Sequence, residues 1–215
     1  EIIQDVPKDV LSRCAAFLLL KDSRASFAIE GEGLSHSRIQ RWARVIAEAG
    51  QRFLDQEELL RLHEIVIGDF RFVQEGLRTE GGFVGEHDRQ TGFPIPEHVS
   101  AKSEDLPGLV QGLIHFEHGP CQEMDPIVAA ATLAFGFVYI HPFEDGNGRI
   151  HRYLFHHVLA EKGFGPKGLV FPVSAVILER IEEYRKTLEH FSKRRLDFIE
   201  WRQKKKNNVE VLNET

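Results

Sequence analysis

The segment DPIVAAATLAFGFVYIHPFEDGNGRIHR, residues 125–152, joins an apolar helix to a polar turn that contains two glycines. Its first two residues, Asp125 and Pro126, are typical of a helix start, because aspartate accepts hydrogen bonds from free N–H groups and proline suits the first helical position. Residues 127–140 are apolar on every side, which predicts a fully buried central helix. A second helix is predicted over 149–162, so the polar turn lies between two core helices.

The turn between these helices has residue types that suit an anion. It precedes the second helix, where unpaired N–H groups and the helix dipole attract negative charge. Gly146 and Gly148 lack a Cβ, so the backbone can approach a ligand closely. Asn147 tolerates left-handed conformations and can add an amide donor. The pattern predicts a phosphate-binding turn, although it lacks the GK[ST] ending of a P-loop.

Four side chains in or beside this turn are of types that could take part in a reaction at a phosphate group. Arg149 and Arg152 share a helix face, and two guanidinium groups suit two phosphate groups. Asp145 offers a hard oxygen ligand of the kind that Mg²⁺ prefers. His141 has an ordinary pKa of about 6.5, which suits a general base near neutral pH. A base, a metal ligand, an anion site and two cations together indicate phosphoryl or nucleotidyl transfer.

Each of these features has a structural alternative when it is taken alone. A glycine-rich turn is more often structural, the arginines could be surface charges, and His141 could be a core histidine with satisfied hydrogen bonds. Zinc binding by His141, His151, His156 and His157 is not expected, because no two of these histidines have the i, i+4 spacing of a helical zinc site. The ordered combination of all the features favours phosphate chemistry.

The remaining pattern predicts a mostly helical chain. Helices are expected over 9–21 and 36–49 from their apolar spacing. Another helix is expected over 55–67, where aspartate and a later glutamate resemble a capping box and a glycine follows the last turn. Ser174 is predicted to cap a further helix. Glycines and prolines interrupt 69–100, which indicates one small β-hairpin and an extended connection.

The bulk composition excludes several classes of protein. The chain has 215 residues, a formal net charge of −6 and two cysteines, so neither a disulfide framework nor a generic nucleic-acid surface is expected. Its longest uncharged run, 126–140, is shorter than the ~20 residues of a membrane span. A cytoplasmic location is therefore expected, with no membrane and no nucleic acid as partner.

The motif HPFEDGNGRIHR, residues 141–152, resembles the signature of the Fic (Fic/Doc) family, HxFx[DE]GNGRxxR, at every specified position. The resemblance extends over about 60–200. It implies a mainly α fold, a Fic-type helical core with one β-hairpin flap. The corresponding organisation is an N-terminal helical region with an inhibitory motif over 1–50, a Fic core over 51–200 and a C-terminal tail over 201–215.

Family membership implies transfer of AMP from ATP to a hydroxyl side chain (Ser, Thr or Tyr) of a target protein, which could include the chain itself. The resemblance gives His141 the role of base and Asp145 that of Mg²⁺ ligand. The backbone of 146–148 would bind the phosphates, with Arg149 on the β-phosphate and Arg152 on the γ-phosphate. The GNG form of the loop is similar to members described as adenylyltransferases. Homo-oligomerisation and the choice of nucleotide base stay open.

A second stretch, SFAIEG at residues 26–31, means little alone, since so loose a pattern also fits a helical turn with a surface glutamate. Beside a Fic-type motif it resembles the family's inhibitory helix, which includes Ser26, Glu30 and Gly31. The resemblance implies that Glu30 pairs with Arg152, so that ATP binds with its α-phosphate wrongly posed. In some relatives the equivalent glutamate also supports removal of AMP from modified proteins.

The stretch RTEGGFVGEH, residues 78–87, resembles the family's flap, which aligns a target segment by strand addition; a plain surface hairpin is the alternative. Tyr184 is the counterpart of an adenine contact, or else a core tyrosine. Nucleotide contacts are also expected from the end of the flap: Val84, Gly85, Glu86 and His87.

Two other functions compete with AMP transfer. One is the reverse reaction, hydrolysis of AMP from a modified protein, for which Glu30 would be required rather than inhibitory. The other is a non-catalytic nucleotide-sensing module, against which the intact His141 argues, because a pure binding protein needs no base there.

Overall fold

The computed structural model describes residues 7–32, 35–166, 168–204 and 208–213. The helices of this part are α1 Lys8–Ala28, α2 His36–Ala47, α3 Gln56–Ile67, α4 Leu106–His118, α5 Pro120–Glu123, α6 Pro126–Ile140, α7 Asn147–Glu161, α8 Val173–Glu179 and α9 Ile181–Leu196. The strands are β1 Phe83–His87, β2 Pro94–Val99, β3 Trp201–Gln203 and β4 Val209–Val211, and a short 3-10 turn covers Ser103–Asp105. The predicted mainly α fold with a hairpin is therefore confirmed.

Helices α6 and α7 form the centre of the fold. They pack along each other, with α4 against α6, α3 and α2 against α7, and α1 against α2 and α8. The side chains between them are completely buried and apolar, as expected for a helical core. They include Leu133, Phe137, Ile150, Leu154 and Val158. The turn between α6 and α7 is thus held at both ends by helices that contribute to the central core.

The start of α6 is as predicted, but the helix is not fully buried. Asp125 Oδ1 accepts hydrogen bonds from the backbone N–H groups of Ile127 (2.9 Å) and Val128 (3.3 Å). Ile127 is nevertheless 56% exposed and Val128 51% exposed. The small residues Ala129 and Ala130 face the core, while the described part of the chain leaves the other side of the first turns open. The prediction that this helix is fully buried, which was based on its apolar residues on every side, is therefore wrong for its first turns.

The signals for α3 are confirmed. Asp55 caps the helix, because its Oδ1 accepts a hydrogen bond from the backbone N–H of Glu58 at 2.7 Å. Gly68 ends it with a φ of 72°, in the left-handed region that favours glycine. The Glu58 carboxylate pairs with Arg61 at 2.6 Å, so its side chain takes part in an ion pair within the helix.

Helix α1 continues seven residues beyond its predicted end at Lys21, because the polar residues that follow are buried and have partners. Asp22 accepts hydrogen bonds from the backbone N–H of Ser174 at 2.6 Å and from its hydroxyl at 3.0 Å. The ring of His156 also contacts Asp22 at 2.9 Å. The prediction that Ser174 caps a helix is wrong, since it lies inside α8 and bonds to α1 instead.

Two further differences concern the C-terminal part of the chain. The single helix predicted after Ser174 is divided into α8 and α9 at Arg180, which has a φ of −123°. Strands β3 and β4 form a second antiparallel pair, which the sequence pattern did not indicate. The side chain of Asn208 donates to Gly81 O at 2.7 Å, so this pair adjoins the base of the flap.

The predicted hairpin is formed by β1 and β2, which pair antiparallel from Phe83 opposite Val99. The register shifts between Val84 and Gly85, where Gly85 has a φ of 152° and a side chain would overlap the backbone of β2. Within the described ranges, no helix combines the length and apolar character needed to cross a membrane.

His151 makes the stability of the core depend on pH. The ring is buried, with Nδ1 2.7 Å from Ala134 O, and burial lowers its pKa to about 4. The unfolded chain, with a His pKa of 6.5, binds this proton first, so the free energy of unfolding should fall as pH drops from 6.5 towards 4, by about 3 kcal/mol in total for this group.

Urea unfolding at a series of pH values measures this effect, and the variant His151→Asn provides the comparison. Asparagine keeps a donor for Ala134 O but does not titrate, so the variant should lose less stability than the parent chain between pH 6.5 and 4. Equal losses in the two proteins would show that His151 is not the titrating group.

Candidate active site

The turn from His141 to Gly148 is held closed by the side chain of Asn147. Its Oδ1 accepts a hydrogen bond from the backbone N–H of Phe143 at 3.0 Å, and its Nδ2 donates to Phe143 O at 2.8 Å. Both ends of the amide are thus used within the turn, and the side chain is buried. Asn147 can contribute to anion binding through its backbone N–H, whereas its side-chain amide has the structural role.

Two aromatic residues anchor the same turn in the core. Phe143 is buried and stacks on His63 of α3, with ring centroids 4.1 Å apart and an interplanar angle of 7°. Gly146 adopts a φ of 89°, and a Cβ there would lie only 3.1 Å from Val66. His63 was not identified from the sequence, because its partner lies in a distant segment and a lone histidine on an apolar helix face gives no specific signal.

His141 follows α6 in the left-handed conformation, with φ 55° and ψ 60°. Its Nδ1 lies 3.3 Å from Val138 O; a carbonyl only accepts, so Nδ1 is the donor and Nε2 carries the lone pair. Burial lowers the pKa of His141 to about 4, with the neighbouring His98 as a smaller cause. The ring is therefore neutral near pH 7, with a free basic nitrogen.

Arg78 fixes the backbone around His141. Its side chain is buried and donates to His141 O and Glu80 O, each at 2.7 Å, and also to Ala101 O. The backbone N–H of Arg78 donates to Pro142 O at 3.0 Å. Burial lowers the pKa of Arg78 to about 10. Arg78 lies in the predicted flap, but its role has no signal in the sequence, because its carbonyl partners come from three separate segments.

Replacing Arg78 should destabilise this end of the site. The variant Arg78→Met leaves the buried carbonyls of His141 and Ala101 without their donor, at a cost of about 2–4 kcal/mol in the free energy of unfolding. Urea unfolding measures the loss. Arg71→Met is a matched control, because Arg71 is exposed and its ion pair is with the nearby Asp69. Equal stability of the two variants would contradict the role assigned to Arg78.

The two arginines of the motif are almost completely buried, at 1% exposure for Arg149 and 2% for Arg152. Arg152 Nη2 donates to Glu30 Oε1 at 2.7 Å and to Ser26 O at 2.6 Å, while its Nε donates to Ser26 Oγ at 3.2 Å. The ion pair predicted between Glu30 and Arg152 is thus present. Gly31, which follows, has a φ of 70° and ends the segment in a left-handed turn.

Arg149 has a second carboxylate partner that the sequence analysis missed. Its Nη2 donates to Asp145 Oδ1 at 2.9 Å, and its Nη1 pairs with Glu32. The other oxygen of Glu32 pairs with Arg38 at 2.9 Å. A glutamate two positions after Glu30 could have suggested this pairing, but only the fold brings it to the first motif arginine. Each motif arginine is therefore occupied by a carboxylate from the segment after α1.

A cavity of about 630 Å³ lies beside these groups. Its wall includes the side chains of Glu30, His141, Arg152 and Tyr184, together with Gly148. A Cβ at position 148 would overlap the Glu30 carboxylate, so glycine is required for the observed approach. Burial raises the pKa of Tyr184 to about 12, and the half-buried ring borders both the core and the cavity.

The flap residues divide between two cavities. Val84, Gly85 and Glu86 border the first cavity, as expected for residues near a nucleotide. His87 instead borders a second cavity of about 550 Å³ on the other side of His141. His141 belongs to the walls of both, so its ring stands between two spaces that can each hold a reactant.

Comparisons with known proteins point to one family. The model of the Fic/DOC family matches residues 53–159. A Fido domain-containing protein of Dictyostelium discoideum is 34% identical over 124 residues, which are 56% of this chain and 81% of that protein. The protein adenylyltransferase fic-1 of Caenorhabditis briggsae is 34% identical over 119 residues, 54% of this chain. The match spans 21% of that relative's length.

Solved structures share the fold. A Fic family protein from Desulfovibrio desulfuricans superposes with a TM-score of 0.68 at 24% identity, covering 90% of this chain and 61% of that one. Fic-1 from C. elegans, with the substitution E274G, has a TM-score of 0.56 at 16% identity, covering 90% of this chain and 66% of that one. From the matching family model, the Dictyostelium relative and the shared fold, we conclude that the chain belongs to the Fic/DOC family.

Proposed function

We propose that this chain is a protein adenylyltransferase, which transfers AMP from ATP to a hydroxyl side chain of a target protein. The observation that carries the proposal is the convergence of a neutral histidine, the glycine of an anion-binding turn and the buried Arg152 at one cavity, with the second buried arginine, Arg149, three residues away on the same helix. Relatives at about a third identity are named protein adenylyltransferases, which supports the same reaction.

The site has the charge distribution that a triphosphate requires. Arg149 and Arg152 are buried cations whose present partners are carboxylates, so both already bind anionic oxygens. The N-terminus of α7, with Gly146 as its N-cap, adds backbone donors between them. If the carboxylates withdraw, two guanidinium groups and one helix terminus are available for three phosphate groups. We assign the β-phosphate to Arg149 and the γ-phosphate to Arg152.

The position of His141 suits the transfer step. Its Nε2 would accept the proton of the target hydroxyl, whose oxygen attacks the α-phosphorus while the bond to the β-phosphate oxygen breaks and pyrophosphate leaves. The two cavities on either side of His141 support this assignment, one for the nucleotide and one for the target segment. The edge of β1 can align that segment through backbone hydrogen bonds.

Asp145 fits the requirements of a Mg²⁺ ligand. Its side chain is half exposed, and its Oδ1 is used by Arg149 and by the backbone N–H of Gly146. The second carboxylate oxygen has no such bond among the described contacts and is open to a cation. Mg²⁺ commonly takes one or two carboxylates together with phosphate oxygens and water. The ion would supply neutralisation of phosphate charge, and Asp145 would hold it at the mouth of the turn.

We further propose that Glu30 and Glu32 inhibit the enzyme. The carboxylate of Glu30 occupies Arg152 directly above Gly148, where a phosphate would otherwise lie. Glu32 does the same at Arg149. ATP bound beside these carboxylates would lack its arginine contacts and would place the α-phosphate poorly for in-line attack.

The reverse reaction is the second candidate, and the position of Glu30 favours it. Glu30 is 32% exposed at its side chain and borders the same cavity as His141. From there it could activate a water molecule that attacks the phosphorus of a protein-bound AMP, releasing AMP and restoring the hydroxyl.

The free thiols of Cys14 and Cys121 support a reducing location such as the cytoplasm for either reaction.

The test is incorporation of label into protein from ATP labelled at the α-phosphate, with ATP labelled at the γ-phosphate as the comparison. A cell extract supplies candidate targets, and the His141→Ala chain in the same extract corrects for other enzymes. We expect α-label alone on protein, dependent on His141. Protein labelled from the γ-position would instead identify a kinase-like transferase, and removal of AMP from pre-labelled protein would favour the reverse reaction.

A further inference from the structure

A second group of chemically active side chains lies where the last turns of α4 and α7 meet. Glu117 comes from α4, and His157 and Glu161 lie four residues apart on α7. One ligand atom from each of the three side chains lies within 4.8 Å of the others. His157 Nε2 is 3.9 Å from Glu117 Oε1 and 3.9 Å from Glu161 Oε2. The imidazole therefore faces both carboxylates without being bonded to either.

Burial makes this arrangement unusual. The side chain of His157 is 1% exposed, and neither of its ring nitrogens has a hydrogen-bond partner. Glu117 is completely buried, and its Oε2 lies 2.7 Å from His118 Nδ1. Buried polar atoms are nearly always bonded, and an unbonded one costs about 1–3 kcal/mol. The unbonded His157 Nε2, which faces two carboxylates, therefore requires either a ligand or a shared proton.

The neighbouring histidine, His118, also contacts Glu117. His118 Nε2 lies 2.8 Å from Leu54 O, and this nitrogen must be the donor because a carbonyl only accepts. In the neutral ring Nδ1 is then an acceptor, yet it lies 2.7 Å from Glu117 Oε2. With a proton on both ring nitrogens this contact is an ion pair, so it does not by itself require a metal.

We propose that Glu117, His157 and Glu161 bind one divalent transition-metal ion, with zinc as the best-fitting member of the class. Zinc accepts both imidazole nitrogen and carboxylate oxygen as ligands and bonds both types at about 2.0–2.2 Å. Ligand atoms around a tetrahedral zinc are about 3.4 Å apart. The two imidazole–carboxylate separations of 3.9 Å, and the limit of 4.8 Å for all three pairs, therefore require side-chain movements on the order of 1 Å.

The surroundings support binding and entry. The Glu161 side chain is 35% exposed, so one ligand reaches solvent and gives an ion access to the buried pair. His118 next to Glu117 can orient that carboxylate or supply a further ligand. A metal here would join α4 to α7, the helix that carries both motif arginines. This site is separate from Asp145, and its role would be structural.

A shared proton is the competing explanation. Burial raises the pKa of Glu117 to about 8, and Glu161 contributes to the increase. A proton between the two carboxylates would leave His157 without a bond to either. A metal ion, in contrast, uses all three side chains at once, and it accounts for the position of His157 Nε2 between the carboxylates.

The test is zinc titration of the full chain after removal of metal with a chelator, in competition with a chromophoric zinc indicator. We expect one tight site per chain and a higher thermal midpoint with zinc. Glu161→Gln should weaken binding by about 10- to 100-fold and should fold, because Glu161 is partly exposed. Glu117→Gln, of equal size, tests the buried ligand.

His115→Gln is the matched control, since His115 is exposed on the same helix. It should bind zinc as the parent chain does. Cobalt titration adds a spectroscopic check, because visible absorption typical of tetrahedral cobalt should appear in the parent and weaken in both glutamate variants. If the parent binds zinc no more tightly than the glutamate variants, the cluster is a proton-sharing pair and the proposal is wrong.

Discussion

The variant Glu30→Gly is expected to transfer AMP on the order of 100-fold faster than the parent chain. In the parent, Glu30 Oε1 holds Arg152 at 2.7 Å, and its carboxylate occupies the space above Gly148. Removal of the side chain frees the guanidinium for the γ-phosphate and allows the α-phosphate to align. An error of about 1 Å in such alignment can cost a factor of about 100 in rate. Initial rates of α-label incorporation measure the effect.

Two comparison variants separate inhibition from a general loosening of the fold. Glu30→Gln keeps the volume but removes the charge, so it should lie between the parent and Glu30→Gly. Glu48→Gln changes an exposed glutamate that pairs with Arg52 and should not alter the rate. A Glu30→Gly chain that binds ATP but transfers no faster, or more slowly, would contradict the inhibitory role. Loss of AMP removal in that variant would support the reverse reaction.

The second large effect is expected from His141, tested in the Glu30→Gly background. His141→Ala should lower AMP transfer by about 10²- to 10⁴-fold, the usual contribution of a general base. ATP binding should change little, because the phosphate contacts are assigned to the arginines and the turn. Rates of transfer and a separate binding titration distinguish the two quantities.

The backbone of His141 requires a second variant. Its φ of 55° is unfavourable for alanine, whereas asparagine adopts this region more readily. His141→Asn should therefore keep the turn intact and still lack the base. His190→Ala, at an exposed position of α9, should transfer at the rate of its background. If His141→Asn retains most of the activity, another group deprotonates the target.

Local signals in the sequence predicted those parts of the fold that depend on neighbouring residues. The starts of α3 and α6 follow from Asp55 and Asp125, whose carboxylates accept backbone bonds two or three residues later. The length of α1 could not be predicted this way. It depends on Asp22, whose carboxylate accepts a hydrogen bond from the backbone N–H of Ser174 in α8, 152 residues further along the chain.

The same distinction applies to the candidate site. Its central motif is contiguous, so the side chains from His141 to Arg152 could be identified together. Glu30 was found only through the resemblance to a family. Arg78, His63 and Glu32 were missed as contributors because each acts on the motif across a long sequence separation.

The most direct test of AMP transfer is a product balance for the Glu30→Gly chain, with ATP and Mg²⁺ and with the chain itself and added proteins as acceptors. Released pyrophosphate is counted against AMP bound to protein, identified by the mass of the modified peptide. The proposed function predicts equal amounts of the two, and neither product with His141→Asn in the same background. Formation of ADP with phosphate on the protein, or pyrophosphate without protein-bound AMP, would contradict it.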